Sequence, residues 1–174
     1  MTEIRDKRGL TEAEAIAAYR KKNYPRPALT ADICIFARSG AGWKLLLIRR
    51  GGHPYLGCWA LPGGFADQGE TIEATAAREL QEETGLTGLD LRLVGIYSAP
   101  GRDPRGWTVS AAYGARVEDP LEAVAADDAA EAAWFDVALP EDGPAAAALP
   151  EGERMAFDHA EIIADAAALL LKDN

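Results

Sequence analysis

Glu79, Glu82 and Glu83 stand three and four residues apart in the segment RELQEE, and on an α-helix that spacing brings side chains to one face. Three carboxylates so placed repel one another and cost helix stability unless a cation sits among their oxygens. An anionic, oxygen-only donor set suits a hard divalent ion, Mg²⁺ first and Mn²⁺ second, rather than zinc. Such an ion would neutralise a phosphate-bearing substrate, lower the pKa of a bound water and clamp a leaving phosphate.

The neighbouring residues look built to hold that helix in place. Arg78 points a different way around the helix from the Glu82–Glu83 pair and is expected to reach back to Glu70 by a charge-assisted bond. Gly63 and Gly64 follow Pro62 in LPGGF, where missing side chains let the backbone turn sharply and bring a carbonyl close to a ligand. Gly85 is placed to stop the helix. The plainer reading of RELQEE is a solvated face of a surface helix; the flanking glycines and Glu70 in register argue against it.

Written as a pattern, the stretch is Gly64, five residues, Glu70, seven residues, Arg78-Glu79-Leu80, one residue, Glu82-Glu83, one residue, Gly85-Leu86. It resembles the Nudix box at every fixed position, and the resemblance extends more loosely over about residues 28 to 171. It implies an α/β fold, a Nudix-type α/β/α sandwich around a mixed β-sheet. It also implies hydrolysis of a nucleoside diphosphate linked to another group, at the pyrophosphate, by metal-activated water. On that resemblance Glu79, Glu82 and Glu83 hold metal with the carbonyl of Gly63 or a near neighbour. Gly64, Glu70, Arg78 and Gly85 are structural members of the box. The general base is Glu82 or an acid from the later segment holding Asp119, Glu122, Asp127, Asp128 and Glu131; Glu82 is preferred.

The rest of the chain suits a small enzyme. Its 174 residues fit one domain, large enough to bury about 70% of its unfolded surface. No apolar run approaches a membrane span, and MTEIRDKRGL lacks the apolar core of a signal peptide, so a cytoplasmic location without membrane contact is expected. The two cysteines, Cys34 and Cys58, have no CxxC spacing and read as buried free thiols. A net charge of −10 opposes nucleic-acid binding without a local basic patch, and none is evident in the sequence. A small nucleotide remains the expected partner.

Residues 11–22 read as a capped helix ended by Pro25 and Pro27, which sets residues 1–27 apart as an N-terminal helical arm from a catalytic domain over 28–174. Strand patterns cover 28–37 and 43–49, joined as a hairpin by SGAG, and then 89–98, 108–117 and 132–137. Residues 138–150 read as a surface connection, and apolar spacing from Met155 to Leu171 predicts a closing helix.

Substrate choice must come from outside the box. The loop from Pro100 to Trp107 carries Arg102, Arg105 and Trp107, with Pro100 fourteen residues beyond Leu86. A proline at that place is similar to a marker of the ADP-ribose pyrophosphatase branch, and GRDPRGW resembles Nudix domains of nicotinamide-nucleotide metabolism. An arginine there can grip a phosphate bidentately and an aromatic ring can face a base; the plainer reading is a proline-rich turn pinned by its Arg-Asp pair. Arg49 and Arg50, ending WKLLLIRR, are also placed to face phosphates. His53 has no partner at a recognisable spacing, and His159 reads as a packing residue.

The resemblance favours an ADP-ribose pyrophosphatase giving AMP and ribose 5-phosphate. The alternatives are a sanitising hydrolase for oxidised nucleoside triphosphates and a non-enzymatic ADP-ribose-sensing module. The sensing regulators carry a winged helix after the Nudix part, for which this sequence leaves no room. A homodimer sharing its sites, with residues 1–27 exchanged, is the expected assembly.

Overall fold

The computed structural model describes residues 4–123 and 129–171. The elements are α1 (Glu12–Arg20), β1 (Ala28–Ser39), β2 (Gly42–Arg50), β3 (Trp59–Ala60), β4 (Gly63–Phe65), α2 (Ile72–Thr84), β5 (Arg92–Tyr97), β6 (Thr108–Val117), β7 (Ala129–Ala138), β8 (Ala146–Ala147) and α3 (His159–Leu170).

The expected hairpin is β1 and β2, antiparallel up to Ser39↔Gly42, with Gly40 at φ 58° supplying the left-handed turn residue. The sheet runs β5-β6-β1-β2-β7-β8, with β3 on β2 and β4 on β1. It is mixed, because β1 pairs parallel with β6 from Ala28↔Thr108 to Ala37↔Val117. A central strand covered on both faces needs a continuous apolar run rather than alternation, and Ile33 to Ala37 is fully buried.

Alternation along β1 then sends neighbouring side chains to opposite layers. Ile33 and Ile35 pack with Leu46, Ala76 and Leu80 on the α2 side. Cys34 and Phe36 pack with Leu45, Leu47, Ile162 and Ile163 on the α3 side. The expected α/β/α sandwich is thus present, and each large aliphatic side chain so buried contributes roughly 1.5–3 kcal/mol. Cys34 and Cys58 are both buried and free.

In α1 the capping box is complete, Thr11 Oγ1 accepting from Glu14 N–H while the Glu14 carboxylate accepts from Thr11 N–H. The helix buries none of its own residues. α3 starts four residues later than its apolar spacing predicts, because Phe157 has φ 51° and a left-handed residue cannot continue a right-handed helix. Three short strands escape the sequence pattern: β3, β4 and β8 have two or three residues each, too few for a period to register. Ala146–Ala147, inside the expected surface connection, pairs with Val137 and Ala138. Among the described residues no helix is long and apolar enough to cross a membrane.

Candidate active site

The box helix α2 is held at both ends and along one side. Thr71 caps its start by accepting from Ala74 N–H, and Gly85 ends it at φ 75°, the stop that the sequence predicts. Thr75, Ala76 and Leu80 bury the inner face, leaving the carboxylates to the end of the sheet where β4 passes. Gly63 and Gly64 lie on β4 opposite Asp32 and Ala31 of β1. Gly63 has φ 155°, and a Cβ on it would lie 2.1 Å from the Ala31 carbonyl oxygen. A Cβ on Gly64 would lie 2.5 Å from a Glu79 oxygen, so only glycine lets that carboxylate rest against the strand.

Glu83 reaches back to the same turn, its Oε2 accepting from Gly63 N–H at 2.8 Å. Glu79 is half-buried, and burial raises its carboxyl above the ordinary range although Arg78 donates to it. Glu70 behaves oppositely. Arg78 and the Thr75 hydroxyl donate to it and hold its carboxyl at about 2.

Arg78 corrects one expectation. It does reach Glu70, at 3.0 Å from Nε, and it donates to the Phe65 carbonyl. It does not point away from the rest of the cluster, because Nη1 lies between Glu79 Oε1 at 2.7 Å and Glu82 Oε2 at 2.8 Å. A guanidinium offers donors on several edges, so one arginine serves the loop and the helix together. Among the described residues the acids do not close into a ready-made metal cage. Glu79 and Glu83 line the cavity beside the helix, whereas Glu82 does not and keeps a side chain 42% exposed.

That cavity measures about 640 Å³, within the range of small-molecule sites. Besides Glu79 and Glu83 it is lined by Arg50, Arg102, Asp103, Arg105, Phe157 and His159. Arg102 is the surprise of the loop. Its side chain is 5% exposed and forks onto Asp158 at 2.7 and 2.8 Å, with Asp32 at 3.6 Å. Burial works against its charge, and Asp158 more than restores it. Arg105 is more open and grips Asp103, whose carboxyl stays low because these bonds outweigh its burial.

Arg49, expected to face phosphates, instead binds Glu153 at 2.7 Å and lies over Trp59. Successive strand residues face opposite ways, and the bulge between Arg49 and Arg50 leaves Arg50 on the cavity side. Trp107 is 58% exposed and outside the lining. Of the later acids, Asp119 and Glu122 are exposed and outside the lining, and Glu131 sits 3.7 Å from Arg49. Asp127 and Asp128 lie outside the described residues.

Sequence reasoning missed a buried polar group in the lining of the cavity. His159 Nδ1 accepts from Leu61 N–H at 2.9 Å, which leaves the proton on Nε2, 3.5 Å from Asp32 Oδ1. Asp32 also accepts from the Ser110 hydroxyl. Burial lowers the His159 pKa despite the neighbouring acids, so the ring is neutral. The signal was an aspartate inside the apolar run ADICIF. A second omission is the group Arg20, Lys21, Lys22 and Arg26, gathered around one surface hollow with Tyr24, where the linear reading found no basic patch.

The donors fit a hard divalent ion. They are all oxygen, burial raises the Glu79 carboxyl although Arg78 donates to it, and the missing side chain of Gly64 leaves room for that carboxylate. The NUDIX domain profile matches residues 26–155. The chain belongs to the NUDIX domain family. It is 42% identical to an ADP-ribose pyrophosphatase of Methanocaldococcus jannaschii over 82% of this chain and 74% of that protein. It is 40% identical to an ADPR responsive transcriptional repressor of Acinetobacter baylyi over 59% of this chain and 42% of the repressor. Among solved structures, the NUDIX domain of Shewanella oneidensis NrtR complexed with ADP ribose aligns with a TM-score of 0.75 at 30% identity, covering 92% of this chain and 99% of that one. Family membership and the pyrophosphatase relative make this Nudix protein a pyrophosphohydrolase, and Nudix hydrolases generally use divalent metal ions.

Proposed function

We propose that this Nudix protein hydrolyses ADP-ribose to AMP and ribose 5-phosphate with Mg²⁺, Mn²⁺ being an acceptable substitute. The observation that carries the reading is one cavity lined by both Glu79 and Glu83 and the arginines Arg50 and Arg105, in a chain 42% identical to an ADP-ribose pyrophosphatase. A pyrophosphate needs both kinds of group, carboxylates to hold a cation and arginines to meet its charge directly as the bridge breaks.

In this reading Glu79 and Glu83 hold the metal with the Gly63 carbonyl, and Glu82 stands beside them as third carboxylate and proton acceptor. The bound ion supplies Lewis-acid neutralisation of the phosphates and a more acidic water. Glu70 and Arg78 keep the helix and the glycine turn together. Arg105 and Arg50 meet the substrate's phosphates in the same cavity, whereas Arg102, forked onto Asp158, supports the loop. A homodimer belongs to the same reading, since α1 buries none of its residues and leaves Ile16 and Tyr19 44% and 55% exposed. So does a cytoplasmic location, which suits two free buried thiols.

The test is a panel of ADP-ribose, other nucleoside diphosphate derivatives and oxidised dGTP with Mg²⁺, read by product identity. AMP and ribose 5-phosphate as the preferred products support the assignment; faster cleavage of oxidised dGTP rejects it for the sanitising alternative. The likeness to an ADP-ribose-bound domain favours one further reading, a sensor, which predicts ADP-ribose binding without turnover.

A further inference from the structure

Tyr55 and Phe157 are the two non-glycine residues with positive φ among the described residues, at 61° and 51°, and their rings touch, with centroids 4.7 Å apart. A left-handed backbone is unfavourable for a bulky side chain and persists only where its surroundings hold it. Two such residues in one contact, 102 positions apart in the chain, mark a place where the fold gives up local stability for geometry.

Phe157 is also where the cavity's cations converge. The Arg50 guanidinium lies 5.1 Å from its centroid and that of Arg105 lies 5.5 Å away, and Arg105 is 4.7 Å from Phe65 as well. The His159 ring sits 5.2 Å off. So crowded a ring is a poor platform for a nucleobase. It is better placed as a spacer that sets the positions of two guanidiniums, each attracted to the ring. An anion entering the cavity, which both arginines line, would meet two cations already positioned. Arg50 Nε donates to the Pro54 carbonyl at 2.8 Å and Arg105 Nε and Nη2 bind Asp103, which fixes both side chains from behind.

We propose that Phe157 is a positioning residue for the substrate: its ring, braced by Tyr55, sets Arg50 and Arg105 as a two-armed clamp for a phosphate of the pyrophosphate group. This rests on the pyrophosphate-cleaving reading but not on which group the pyrophosphate carries. The clamp needs no metal, so it is testable apart from turnover.

Inorganic pyrophosphate is titrated calorimetrically into the full chain in EDTA, for wild type, Phe157→Leu, Phe157→Tyr, Arg50→Lys and the Phe157→Leu/Arg50→Lys double variant. Leucine keeps the bulk and loses the ring; lysine keeps the charge and loses the planar stacking face. The expected result is binding about tenfold weaker for Phe157→Leu and for Arg50→Lys, and within about twofold of wild type for Phe157→Tyr. The double variant should be no weaker than either single one, because one interaction is removed twice. With Mg²⁺ and whichever substrate the wild type cleaves, Phe157→Leu should raise KM about tenfold and change kcat less than about threefold.

Wild-type binding too weak to measure, Phe157→Leu binding within twofold of wild type, or additive losses in the double variant would each overturn the clamp. Should Phe157→Leu not fold, Arg50→Lys and Phe157→Tyr decide: tenfold loss in the first with none in the second supports it, and any other pattern overturns it. A wild type that cleaves oxidised dGTP in preference to ADP-ribose rejects the proposed function and leaves the clamp standing.

Discussion

Glu83 Oε2 accepts a hydrogen bond from Gly63 N–H at 2.8 Å, joining the box helix to the glycine turn across twenty residues of chain. In the proposed reading one carboxylate has two duties: one oxygen fixes the glycine turn, and the group's negative charge would serve the ion.

The two duties separate on substitution. Glu83→Gln keeps an oxygen that can accept from Gly63 but loses the anionic ligand, so Tm should stay near wild type while kcat falls on the order of 100-fold or more. Retention of a tenth of the wild-type rate at saturating Mg²⁺ would mean that Glu83 is no key ligand. Gly64→Ala should behave similarly, because its Cβ would displace Glu79. Gly63→Ala should instead destabilise the fold by about 2 kcal/mol or more, its Cβ meeting rigid backbone.

Glu70 links stability to acid. Arg78 and Thr75 lower its carboxyl from 4.5 to about 2. A carboxylate depressed in the folded state contributes stability that is complete above about pH 4.5 and is lost as pH falls toward 2. Glu70→Gln should lower Tm at neutral pH and flatten its pH dependence in that window. Thermal melts of both proteins from pH 2 to 7 check this; parallel curves would show that the Arg78 bond contributes nothing.

His159 works in a higher window. Its folded pKa lies below 6.5 because burial disfavours the charged ring, so the unfolded chain takes up the proton first. Stability is therefore full above about pH 6.5 and declines as pH drops below it. His159→Gln, which can accept from Leu61 N–H but cannot titrate, should remove that decline. A wild-type Tm that is flat between pH 6.5 and 5 would contradict the buried neutral assignment.

Arg102 was expected to hold substrate, and its burial changes the prediction. Arg102→Ala would strand Asp158 and Asp32 beside the N-terminus of α3, costing about 3 kcal/mol, the low end for a broken buried pair because Asp158 keeps 19% exposure. The measurement is urea unfolding. A normal midpoint with a large rise in KM would return Arg102 to the substrate.

The separation between what was legible in the chain and what was not follows the range of the interactions involved. The carboxylate helix, its Gly85 end and the β1–β2 hairpin depend on residues within about a helix turn or a tight loop of one another, and such spacing is written directly in sequence. So is the glycine pair, since a backbone needing close approach excludes side chains whatever surrounds it. Strands of two or three residues, such as Trp59–Ala60, have no period to read. Which arginine meets the cavity was not local either. Arg49 and Arg50 are neighbours of identical chemistry, and a bulge against β7 together with Glu153, over a hundred residues away, divides their roles. Likewise Asp32, Arg102, Ser110, Asp158 and His159 come from three distant stretches, and their pairing takes effect only when the sheet and α3 close over them, because burial and pairing are properties of the assembled interior and not of any residue's neighbours in the chain.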